Sequence, residues 1–187
     1  MNRADTTTAM SPATVLDFWF QELQPAQWWR VDLELDRQMT QRFAALHAQA
    51  ARAELWAWRA EPRGRLAEVI VLDQFSRNIH RGTPAAFACD PLALGLAQEA
   101  VAAGADQALP LPERAFLYMP YMHSESAAIH ALAEPLFRAH APGNHDAALR
   151  HRAIIDRFGR YPHRNAILGR ATTDEELAFL SQPGSSF

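Results

Sequence analysis

A chain of 187 residues, 49% hydrophobic and 21% charged, fits one globular domain whose core needs no metal or disulfide staple. The net charge of −3 argues against a general nucleic-acid binder, which carries a basic excess. The single cysteine, Cys89, excludes an internal disulfide and a multi-cysteine zinc site, and all 18 basic side chains are arginine, which excludes Schiff-base chemistry, a pyridoxal-phosphate anchor and a phosphate-loop lysine. No apolar run approaches the ~20 residues that span a bilayer, and the polar, Thr-rich start has no secretory pattern. A cytoplasmic protein without membrane contact is expected.

In chain order, the periodicity is helical almost throughout, with no convincing alternating strand. Ser11-Pro12 reads as an N-cap and first-position proline opening a helix over 12–20. Pro25 and Trp28-Trp29 fall in a connection. Leu35, Met39, Phe43, Leu46 and Ala50 then form the apolar stripe of a long helix over 32–54. Pro62 and Gly64 punctuate the chain before a helix over 65–78, whose middle is apolar nearly all round and therefore central. Asp90-Pro91 starts a helix that Gly104 ends. A further helix after Pro110 and Pro112 is expected to stop at Pro120, with Ser124 capping the next and Pro135 kinking or dividing it. After a loop over 141–145, a helix over 146–158 ends at Gly159, and Thr173 with Glu176 form a capping box for a last helix to about 180. The sum is a single all-α domain over 1–187, with flexible ends at 1–11 and 182–187, built from antiparallel helix pairs. No 34-residue self-similarity is visible.

Three polar segments concentrate groups able to do chemistry. In Asp73-Gln74-Phe75-Ser76-Arg77-Asn78, Asp73 and Arg77 share a helix face, as do Gln74 and Asn78, so a desolvated ion pair is expected straight after a buried apolar turn. His123-Ser124-Glu125 lacks the cysteine element of zinc deaminases; its acid and imidazole converge only if the segment is a loop or helix start. In the run from Arg157 to Asn165, Arg160, His163 and Arg164 follow a helix end, where guanidinium forks can clamp a carboxylate or phosphate or bond helix-end carbonyls. Phe18, Trp19, Phe20, Trp28 and Trp29 read as core and interface filler rather than a base-stacking platform, and the remaining histidines as surface or packing residues.

The run Val15-Leu16-Asp17-Phe18-Trp19-Phe20 with Trp28 resembles the opening of the bacterial domain-of-unknown-function family numbered 924. The segments 72–78, Arg81-Gly82-Thr83, 113–120, His123-Ser124-Glu125, 157–165 and Leu168-Gly169-Arg170 extend the likeness over about 13–181. It departs at His80, where the family tends to an aromatic, and from Ser126 onward, where its helix is usually more charged. The resemblance implies an all-helical, tetratricopeptide-repeat-like superhelix or compact bundle and no established activity.

Two functions follow as expectations. In one, the three segments line a pocket for a small polar or anionic molecule. His123 or His163 moves a proton, with Glu125 or Asp73 orienting it, and Asp73, Gln74, Arg77, Asn78, Arg160, Arg164 and Asn165 hold the ligand. No metal is expected there, since the arginines repel a cation, and no cofactor motif is present. In the other, the domain is a scaffold for a peptide or protein partner and the polar motifs are internal locks.

Overall fold

The computed structural model describes residues 10–185; of the flexible ends expected at 1–11 and 182–187, residues 1–9 and 186–187 lie outside the described residues. Among the described residues every regular element is helical. Ser11 accepts from the Thr14 N–H and opens α1 (Pro12–Asp17), which runs on as a π turn, Phe18–Glu22. A short 3-10 turn (Pro25–Trp29) leads to α2 (Leu33–Ala51), capped by Asp32, which accepts from the Glu34 and Leu35 N–H groups. The expected stripe is buried on α2, from Leu35 through Met39 and Phe43 to Leu46 and Ala50.

Two proline expectations are corrected. Pro62 does not break the chain but occupies the first turn of α3 (Pro62–Ile70), where its missing N–H would have had no partner in any case. Pro120 does not stop α6 (Leu111–His123) but lies inside it. Every residue from Ala115 to Met122 is buried there, and that burial outweighs the lost hydrogen bond of an interior proline. Pro135 likewise lies inside α7 (Ala127–His140), which Ser126 rather than Ser124 precedes.

α3 runs into a second π turn, Val71–Phe75, and then α4 (Ser76–Ile79). Residues Leu66 to Ser76 are buried without interruption, the central helix that its apolar sequence requires. α2 packs on α4, while α1, α5 (Asp90–Ala102) and α6 pack on α3. α6, α7 and α8 (His145–Phe158) form a consecutive packed set, and Gly159 ends α8 in the left-handed region (φ 67°). Tyr161 lies in a small satellite core with Ile154 and Ile155, beside α9 (Asp174–Leu180). Among the described residues no helix is long and apolar enough to cross a membrane.

Candidate functional site

The π turn at Val71–Phe75 places Asp73 inside the protein, at 1% exposure. A buried carboxylate needs donors, and three side chains supply them. Its Oδ1 bonds His123 Nδ1 at 2.7 Å, its Oδ2 accepts from Gln74 Nε2 at 2.6 Å, and Arg77 Nη1 approaches Oδ1 at 3.3 Å. Burial alone would raise the Asp73 carboxyl, but Arg77 and His123, with the Gln74 donor, outweigh it and hold it well below the usual carboxylate range. An ionised carboxylate only accepts, so Nδ1 of His123 carries the proton. Nε2, the other ring nitrogen, makes no hydrogen bond among the described residues, on a side chain 15% exposed; in a neutral ring it is the acceptor.

Arg77 reaches further than the expected i,i+4 pair. Its Nη1 donates to the Asp73 main-chain carbonyl at 2.7 Å, and its fork closes on Asp90 at 3.0 and 3.1 Å. Arg164 meets the same carboxylate from the C-terminal segment at 3.1 Å and donates to the His123 carbonyl at 3.0 Å. Its guanidinium lies between Phe87 and Tyr161, 4.6 and 4.7 Å from their ring centroids. Cys89, not Asp90, is the N-cap of α5, so the Asp90 carboxylate is left to join the first and third segments.

Glu125 follows the end of α6 and engages other partners than His123 does. It accepts the Tyr161 N–H at 2.7 Å and a fork from Arg170 at 2.7 and 3.0 Å. Burial raises its carboxyl, and the Arg170 fork and Tyr161 N–H bring it below the ordinary value. Arg170 also donates to Asn165 Oδ1 at 2.9 Å. The imidazoles are chained through rings: His123 to His151 at 6.3 Å, His151 to Tyr161 at 5.8 Å, and Tyr161 to His163 at 5.5 Å between centroids. Burial is the main cause that lowers His151 to about 3 and His163 to about 4, with His123 and Arg164 respectively adding to it.

The structure thus brings Asp73, Gln74, Arg77, His123, Glu125, His163 and Arg164 together, with Asn165 joined through Arg170. Two of the expected residues are taken up elsewhere. Asn78 donates to Asp36 at 2.8 Å, and Arg160 forks on Glu176 at 2.6 and 2.8 Å. Asp90, Arg170, Tyr161 and His151 were not among the expected site residues. Asp90 reads from sequence as a helix cap, and His151 as one histidine among several scattered ones. Tyr161 and Arg170 lay in runs that carry the family likeness, 157–165 and 168–170, but nothing in those runs pointed to Glu125 as their partner.

Among the described residues no three His, Cys, Asp or Glu side chains form a metal-ligand set. One apolar groove lies away from the network, with a volume of about 330 Å³ between Trp28, Trp29, Leu111, Phe116, Met119 and Pro142.

Helices packed around a histidine–arginine–carboxylate network, with no cofactor motif, define the class of protein. The chain belongs to the family of bacterial proteins of unknown function designated DUF924, which matches residues 15–184. It is similar to a solved structure of a protein of unknown function from Agrobacterium tumefaciens. The two are 40% identical with a TM-score of 0.86, over 91% of this chain and 96% of that one. Among curated proteins none matches it.

Proposed function

We propose that the network is an acid–base site for a small polar molecule, with His123 as the proton-transfer group and Asp73 as its orienting carboxylate. The observation that carries this reading is the 2.7 Å bond from His123 Nδ1 to a carboxylate at 1% exposure. Such a bond fixes the tautomer and ring direction and stabilises the imidazolium formed when Nε2 takes a proton. His163, neutral at physiological pH, is the second proton-handling group, and Glu125 holds the Tyr161 loop that carries it. Each of Arg77, Arg164 and Arg170 already meets a carboxylate of this protein, so the site favours a neutral polar ligand over a strongly anionic one.

The scaffold reading, a tetratricopeptide-like surface for a peptide or protein, has one observation in its favour: Trp29 is 59% exposed and Leu111 58% exposed at the apolar groove. A panel of p-nitrophenyl esters, glycosides and phosphates separates the two. Acid–base catalysis predicts turnover of at least one class, lowered roughly 10²-fold or more in His123→Gln at unchanged fold. No turnover on any class, or turnover equal in the variant, leaves the scaffold reading in possession.

A further inference from the structure

A recess of about 540 Å³ opens between the start of α1 and the turn Trp56–Ala60, apart from the His123 site. That volume is in the range of small-molecule sites, roughly 300–1,000 Å³. Its walls are built rigidly. A Cβ on Gly64 would lie 1.9 Å from the Trp58 carbonyl oxygen, so α3 and the turn touch backbone to backbone. Arg59 locks the same turn onto α3 by forking on the fully buried Glu68, both bonds at 2.7 Å. Across the recess, Ser11 fixes the first turn of α1. Pro12, Leu16 and Trp58 supply the apolar lining, and Asp17, Glu61 and Arg63 the polar part.

We propose that this recess binds a small molecule with an apolar body and a protonated amine. Charge selects the cation. Asp17 and Glu61 are exposed carboxylates without an ion-pair partner among the described residues. The one guanidinium of the lining, Arg63, is engaged by Glu113 at 3.1 Å. Burial raises the Glu113 carboxyl and Arg63 lowers it in return; even with Arg63 counted as a whole positive charge, Asp17 and Glu61 outnumber it. The rim is therefore net negative. Trp58, partly exposed, is among the lining residues, and an indole ring attracts ammonium groups. A carboxylate-bearing ligand of the same shape meets repulsion at Asp17 and Glu61 instead.

The test uses three size-matched probes on the full chain: 2-phenylethylamine, 2-phenylethanol and 3-phenylpropionate, titrated while the Trp58 indole N–H is followed by NMR. The amine binds more tightly than the alcohol by roughly three- to ten-fold, since each exposed charge pair contributes a small factor, and the acid binds most weakly. In Asp17→Asn/Glu61→Gln the amine falls to the level of the alcohol, while the alcohol is unchanged. Equal binding of the three probes would overturn the proposal. So would silence at Trp58 up to about 10 mM amine. Binding that appears only after residues 1–9 are removed also overturns it, by showing that the chain itself fills the recess.

Discussion

Asp73 and several histidines are buried, and their titration sets how stability depends on pH. His47, like His163, is lowered to about 4, and His151 to about 3. Burial leads in each, followed by His80 for His47, Arg164 for His163 and His123 for His151. An unfolded imidazole takes its proton near ~6.5. Between that value and about 4 the unfolded chain therefore binds more protons, and stability falls as pH falls. Each of these histidines contributes up to about 1.4 kcal/mol per pH unit in that window. Asp73 and Glu125, held low by their partners, give stability that is complete above the unfolded carboxyl value and is lost only as pH falls below it. The urea midpoint should thus drop already between about pH 7 and pH 5, before the carboxylates titrate. A flat profile over that interval would mean that the imidazoles accept protons in place, without being buried neutral.

The elements show which parts of the fold were legible and why others were not. Local signals survived where they were local: Ser11 and the Thr173 and Glu176 box cap the helices that they were expected to cap, while the capping role of Asp32 was not read. Prolines misled where tertiary burial decides, since Pro120 is carried through α6 by the buried residues on either side of it. The π turn at Val71–Phe75 was not legible, because nothing in Val71-Leu72-Asp73-Gln74-Phe75 distinguishes an extra residue per turn from an ordinary helix. The convergence of the three polar segments was readable from their residue types, whereas the partners drawn from 42 to 74 residues away, Asp36 for Asn78 and Asp90 for Arg164, were not. Gly64 was read as punctuation and is instead a contact. Gly64→Ala should cost roughly 2–3 kcal/mol or more in urea unfolding, as an overpacked site with backbone on the far side. A loss below about 0.5 kcal/mol, no larger than that of an ordinary surface substitution, would show that the turn Trp56–Ala60 yields freely.

Taken whole, the molecule is a large apolar core around α3 and a smaller C-terminal cluster, with α8 contributing to both and polar contacts tying the segments across. Asp73 reaches α6 through His123, Arg164 returns from the C-terminal segment to Asp90 on α5, and Glu125 holds Tyr161 and Arg170. A network of this kind fixes the relative placement of three chain segments, and a site at their junction inherits that rigidity. In the proposed function its working part is one oriented imidazole, and the ring nitrogens of His123 report on that orientation directly. Nitrogen-15 NMR of the neutral ring should show the proton on Nδ1 and a bare Nε2 in the native protein. In Asp73→Asn the donor preference should shift toward Nε2, because the acceptor for Nδ1–H becomes an amide free to present either end. A native ring already protonated on Nε2, or one whose tautomer is indifferent to Asp73→Asn, would contradict the assignment of Asp73 as the group that orients His123.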